Sequence, residues 1–299
     1  MKVVALASVR GAPGVTTTSL LLASTFEDAP VVEADLDGGV LAVRYGLGRE
    51  PGLTTLAAAG PEEFIFVTGR GKTIMEDHFD RAFELFETLA KKAKTKELAE
   101  VEAAVPKAGE VVYTRQQEPK GLGHAVWCAR HVVGDEPFAV MLVDDLIDAE
   151  TPCLAQMVEA QARTEGNLLA VMEVPQEHTS RYGVIDPGES DGRLTEVKGM
   201  VEKPKPEVAP SRLAVIGRYL LMPEVFAVLD AQKPGAGGEI QLTDAMAALI
   251  GRQPFHGYRF EGRRFDCGDK LGYLEAIVAM ASKRADLQPG FAEMLARYR

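Results

Sequence analysis

Apolar residues along the chain fall into short runs broken by small and polar ones. Val3–Val9 reads "VVALASV" and predicts a buried inner strand. Gly11 and Gly14 break that run, and Thr16, Thr17, Thr18 and Ser19 offer N-caps for a helix through Leu20–Ala23. Val31–Ala34 predicts a second strand that ends on Asp35 and Asp37. From Glu62, "EEFIFVTGRGK" predicts a strand and a glycine turn. Phe79, Phe83, Phe86 and Ala90 then recur at helical spacing and predict an apolar stripe facing the core. Lys91–Glu102 is charged and Ala-rich, the pattern of a solvated helix end. Val111–Tyr113 predicts a strand leading into "RQQEPKGLGHAVWCAR", a loop that turns into a helix. "PFAVMLVDDLI" predicts one buried strand whose carboxyl end presents Asp144 and Asp145. Ligands of open α/β sheets gather at that end of the strands. Phe64–Thr68 and Met141–Val143 are continuous apolar runs needing cover on both faces, so the expected fold class is α/β.

Composition narrows the chemistry. With 299 residues and 46% hydrophobic residues, the chain can bury a sizeable core in one large domain or two small ones. A formal charge of −11 argues against nucleic acid or an anionic membrane as the main partner. Cys128, Cys153 and Cys267 lie far apart and match no metal spacing, which fits a reduced, cytoplasmic protein. The apolar runs are too short for a membrane span, and the opening residues do not read as a signal peptide.

Strand, glycine loop, helix, strand and acidic end is how a P-loop unit begins. With "EADLDGG" and "EPGLTTLAAA", residues 1–60 resemble the start of the MinD/ParA-type ATPases. The resemblance implies a possible phosphate loop at Gly11, Gly14, Thr16 and Thr17. Such a loop carries a Lys before its Ser/Thr, and this chain has Val15 there, with Arg10 at the front. Backbone amides at the helix start remain able to hold an anion weakly; a tight strand-to-helix turn with no ligand is the competing reading.

Further on, polar clusters adjoin apolar runs in "RYGVI", "VEKPKP", "IGRYLL", "GAGGEIQLTDA" and "RRFDCGD", which suggests one composite cleft suited to phosphoryl or nucleotidyl transfer. "FVTGRGK", "RQQEP.GLGHAVWCAR", "VEKP", "GGEIQLTDA" and "FDCGDK" in that order resemble the bacterial UTP–glucose-1-phosphate uridylyltransferases. The likeness runs over residues 61–299, most clearly from Glu62 to Leu287. It implies a Rossmann-like mixed central sheet flanked by helices, of the nucleotide-diphospho-sugar transferase type. The implied reaction joins UTP and glucose 1-phosphate into UDP-glucose and pyrophosphate with Mg²⁺, in a cytoplasmic dimer or tetramer.

By the same resemblance, Gln116 and the amide of Gly121 face the uracil. Asp144 and Asp266 bind the Mg²⁺, and Asp145 stays open as the alternative to Asp144. Gly183 approaches the sugar through its backbone, Glu202 accepts from glucose hydroxyls, and Lys203 meets the sugar phosphate. Asp144, Lys203 and Asp266 are the catalytic candidates; Glu239 and Asp244 stand second, and His124 reads as structural. The family's opening GxGTRxxPxTKxxPK loop is absent, "RGAPGVTTTS" stands in its place, and Val143 replaces a Pro before the Asp pair. Residues 1–60 are therefore expected to pack into the same domain as a substitute start. Two other functions stay open: a catalytically silent UDP-glucose or sugar-phosphate binding protein, and a MinD/ParA-type ATPase.

Overall fold

A computed structural model of the protein describes residues 2–6, 63–72, 76–77, 79–106, 108–231, 234–235 and 238–298. Strand β1 (Lys2–Leu6) is an inner strand, parallel to β2 (Glu63–Thr68) on one side and to β4 (Phe138–Leu142) on the other, with β3 (Val111–Arg115) beyond β2. Leu6 stands level with Val67 and Leu142. The candidate phosphate loop with Gly11, Gly14, Thr16 and Thr17 lies outside the described residues, as does the expected strand at Val31–Ala34.

The sheet continues through β6 (Asn167–Glu173), β7 (Gly183–Asp191), β8 (Leu194–Glu202), β9 (Leu213–Leu221) and β10 (Phe255–Arg259) to nine strands, in the order β3-β2-β1-β4-β9-β6-β10-β8-β7. It is mixed: β9 runs antiparallel to β4 and β6, and β7 and β8 pair antiparallel. Alternation along each inner strand builds two cores. Ile65, Val67, Phe138, Val140, Leu169 and Val171 face one side, against helices α3 (Leu122–Cys128), α6 (Val225–Ala231) and α7 (Leu242–Leu249). Phe64, Phe66, Ala139, Leu168 and Ala170 face the other, against α5 (Cys153–Gln161). Each buried large apolar side chain contributes about 1.5–3 kcal/mol. The mixed α/β sheet with helices on both faces is the fold class expected from the sequence.

Two local expectations change. The apolar stripe is not Phe79, Phe83, Phe86 and Ala90. Helix α1 (Phe83–Lys91) starts at Phe83, which is 63% exposed, and Ala90 is exposed too; Phe86 and Leu89 form the buried face, against Val101 of α2 (Thr95–Ala104). Phe79 precedes the helix and stacks on Phe66 instead. Nor is "PFAVMLVDDLI" one strand. It turns at Val143 and Asp144, and β5 (Asp145–Asp148) leaves the main sheet to pair antiparallel with β11 (Arg263–Asp266) in a two-stranded ribbon. Among the described residues no helix is long and apolar enough to cross a membrane, and the three cysteines are free.

Candidate functional site

Strand direction gathers the candidates at one edge of the sheet. Gln116 follows the end of β3 and Asp144 follows the end of β4, which run the same way through β1 and β2. Strand β7 begins and β8 ends at that edge, where Gly183 pairs with Glu202. This is the carboxyl edge of the parallel strands, where loops and helix starts are free to form a site.

The ribbon brings the sequence-distant carboxylates together. Asp266 pairs with Asp145 in register, and the Cys267 N–H donates to the Asp144 carbonyl at 2.8 Å. A β-carbon on Gly268 would stand 3.3 Å from Asp144 Oδ2 and 3.3 Å from Asp266 Oδ1. The two carboxylates thus approach one small volume, which the missing side chain keeps open.

Neighbouring Asp145 points elsewhere. It is 5% exposed; its Oδ2 accepts from the Gly217 N–H at 2.5 Å, and its Oδ1 accepts from Arg264 Nε at 2.6 Å and from Arg264 Nη2. Its carbonyl accepts from Arg218 Nη2 at 2.7 Å. Asp145 is therefore a buried structural anchor, and Asp144 is the member of the pair turned toward Asp266. Burial, followed by repulsion from Asp145, raises the Asp144 pKa above its ordinary value, and Asp266 adds to the effect. A cation placed between the two carboxylates would relieve that repulsion.

Asp266 is held from one side. Its Oδ2 accepts from the Tyr182 hydroxyl at 3.3 Å and lies 3.5 Å from Arg264 Nη2 and 3.7 Å from Arg181 Nη2. Its Oδ1 is the oxygen on the Asp144 side.

A second group lies around Gly183. A β-carbon there would meet Thr243 Oγ1 at 3.1 Å and Glu202 Oε2 at 3.3 Å, so the glycine leaves space between a carboxylate and a hydroxyl. Glu202 is 13% exposed, and its Oε1 pairs with Lys203 Nζ at 3.1 Å. Lys203 itself has a left-handed backbone, φ 47°, and its N–H donates to the Tyr182 carbonyl at 3.0 Å. Burial first, then the Glu202 charge, raises the Asp244 pKa, so both carboxylates share one field.

The third group is the "GLGHA" turn. Gln116 Nε2 donates to the Gly121 carbonyl at 3.0 Å and contacts His124 Nδ1 at 3.0 Å. Gly121 has φ 104°, and a β-carbon on it would stand 2.8 Å from Glu239 Cβ and 2.8 Å from the Ile240 carbonyl. Ile240 N–H donates to the Lys120 carbonyl at 2.7 Å, and Gly123 N–H to the Ile240 carbonyl at 2.9 Å. The glycines thus clamp this turn onto the segment that opens α7. His124 stacks on Trp127 with ring centroids 5.6 Å apart, and desolvation lowers its pKa, as suits a neutral structural imidazole.

A family model described as nucleotidyl transferase matches residues 53–283. The chain belongs to the nucleotidyl transferase family. A UTP–glucose-1-phosphate uridylyltransferase of Bacillus subtilis is 50% identical over 230 residues, 77% of this chain and 78% of that protein. One of Komagataeibacter xylinus is 50% identical over 213 residues, 71% of this chain and 75% of that protein. Among solved structures, a UDP-glucose pyrophosphorylase complexed with UDP-glucose superposes with a TM-score of 0.73 at 36% identity, covering 95% of this chain and 99% of that one. A UTP-bound UGPase from Acinetobacter baumannii gives 0.77 at 32% identity, covering 100% of this chain and 99% of that one. The nucleotidyl transferase fold and the mixed sheet seen here agree.

The sequence motifs assign no role to Tyr182, Arg264 or Thr243. Arg264 carried a signal: it stands two before Asp266 on a strand, so both side chains leave the same face. Tyr182 and Thr243 carried none, because their roles arise from contacts between distant segments.

Proposed function

We propose that this nucleotidyl transferase makes UDP-glucose and pyrophosphate from UTP and glucose 1-phosphate. The convergence of Asp144 and Asp266 beside Gly268, next to the Gly183–Glu202–Lys203 group, is the observation that carries it. Two carboxylate oxygens facing one gap suit a hard divalent cation such as Mg²⁺, with Asp144 and Asp266 as the protein ligands. Bound there, the cation would neutralise charge on the nucleotide phosphates.

The chain's own groups have the remaining tasks. Glu202 accepts from sugar hydroxyls, and Gly183 leaves the sugar room. Lys203 gives its ammonium to the phosphate of glucose 1-phosphate. Gln116 and the Gly121 amide face the uracil. A phosphate oxygen of glucose 1-phosphate forms the new bond to the α-phosphorus of UTP. The α–β bridging oxygen leaves with pyrophosphate, in line. No covalent enzyme intermediate is needed; positioning and charge lower the barrier.

We extend the reading to a cytoplasmic dimer or tetramer with residues 1–60 packed into the same domain. Their likeness to the start of a MinD/ParA-type ATPase enters only as a substitute opening segment. A second reading, binding of UDP-glucose without turnover, draws support from the absence of the family's GxGTRxxPxTKxxPK loop and from Val15.

Thermal shift tests the ligand class. At a hundred times its Kd, UDP-glucose should stabilise the fold by about 2.7 kcal/mol, and ATP with the same cation should leave it unchanged. Stabilisation by ATP alone would overturn the reading.

A further inference from the structure

Tyr182 touches both halves of the site through different atoms. Its hydroxyl donates to Asp266 Oδ2 at 3.3 Å and accepts from Arg264 Nη1 at 3.1 Å. Its carbonyl accepts the Lys203 N–H at 3.0 Å, where the Lys203 backbone sits at φ 47°. A non-glycine residue in that region is strained and persists only where its surroundings hold it. The next residue is Gly183, which faces Glu202 across the strand pair.

We propose that Tyr182 is a positioning residue that couples sugar-phosphate binding to cation binding. The proposal rests on the reading of Asp144 and Asp266 as the cation pair. The hydroxyl holds Oδ2 of Asp266 and so aims Oδ1 at the space beside Asp144. The carbonyl holds the backbone from which the Lys203 ammonium reaches. A phosphate that pulls on Lys203 pulls on the same residue that aims Asp266. By linkage, a sugar phosphate that tightens this arm raises cation affinity, and the cation raises sugar-phosphate affinity by the same factor. Arg264 and Arg181 also face Asp266 Oδ2, at 3.5 and 3.7 Å, so loss of the hydroxyl loosens the carboxylate without freeing it.

Tyr182→Phe removes only the hydroxyl and keeps the partly buried ring. The probe is Mn²⁺, followed by electron paramagnetic resonance on the full chain, alone and with glucose 1-phosphate. In the wild type, glucose 1-phosphate should tighten Mn²⁺ binding. In Tyr182→Phe, Mn²⁺ should bind about three- to tenfold more weakly, the scale of one hydrogen bond, and the tightening by glucose 1-phosphate should shrink. The melting temperature should stay within a few degrees of the wild type. An unchanged Mn²⁺ affinity, or an equal tightening factor in both proteins, would overturn the coupling while leaving the cation pair standing. Mn²⁺ binding that survives Asp144→Asn would overturn the cation pair itself, and the coupling with it.

Discussion

Adjacent residues Asp144 and Asp145 should respond oppositely to the same substitution. Asp145→Asn removes the charge that faces Arg264, where the two side chains are 7% and 8% exposed. The asparagine can still accept from Gly217, but its NH₂ or its single oxygen must replace a carboxylate that took Arg264 Nε at 2.6 Å. Asp266, 3.5 Å from the guanidinium, is the charge left nearby. Breaking a buried pair from one side costs about 3–5 kcal/mol. At about 2–4 °C per kcal/mol for a chain of a few hundred residues, the melting temperature should fall by on the order of 10 °C. Asp144→Asn removes a charge that burial, Asp145 and Asp266 all disfavour. Its melting temperature at pH 7 should equal or exceed that of the wild type. The sign follows from the raised pKa of Asp144 in the fold. The native state holds that proton more tightly than the unfolded chain does, so the wild type gains stability as pH falls through the raised value. Any advantage of Asp144→Asn should therefore vanish below the ordinary Asp pKa. Turnover should fall by on the order of a hundredfold or more, since even outer partners of a metal ligand cost ten- to a hundredfold. Differential scanning fluorimetry across pH 3–8, paired with a pyrophosphate assay, reads both effects. Equal destabilisation by the two substitutions would refute the division into anchor and ligand.

Lys203→Ala should raise KM for glucose 1-phosphate by about ten- to a hundredfold, the value of a charged hydrogen bond, and leave KM for UTP within about twofold; steady-state kinetics with each substrate varied separates the two. Gly183→Ala places a methyl 3.1 Å from Thr243 Oγ1 and 3.3 Å from Glu202 Oε2, so KM for the sugar phosphate should rise several-fold while the melting temperature moves little. Gly121→Ala meets both φ 104° and backbone at 2.8 Å, so it should cost about 1–3 kcal/mol of stability, seen as a lower urea midpoint.

Much of the fold was legible because its inner strands are continuous apolar runs. Phe64–Val67 bury both faces as expected, whereas Met141–Val143 are half-buried and it is the preceding Phe138–Val140 that is covered on both faces. The break after Leu142 was not legible. Val143, Asp144 and Asp145 read as the end of one strand, yet β5 turns away because its partner β11 lies more than a hundred residues on. That pairing decides which Asp faces the site, and no local pattern carries it. The phase of α1 was not legible for a related reason: Phe83 has helical spacing to Phe79 and Phe86, but the helix begins at Phe83 and leaves that ring in solvent. The sequence motifs did mark the right neighbourhoods. "VEKP" and "RYG" meet as Gly183 pairs with Glu202, and "VDD" meets "FDCGD" at Gly268. What they did not reveal is Tyr182, whose hydroxyl finds its partners Asp266 and Arg264 on a distant segment.

The most direct test of the account is pyrophosphate release by the full chain with UTP, glucose 1-phosphate and Mg²⁺, measured beside Asp144→Asn and Asp266→Asn. The account predicts release that requires both substrates and the cation and that each substitution lowers by on the order of a hundredfold or more. Release that persists unchanged in both variants, or no release from the wild type under conditions where UDP-glucose binds, would contradict it.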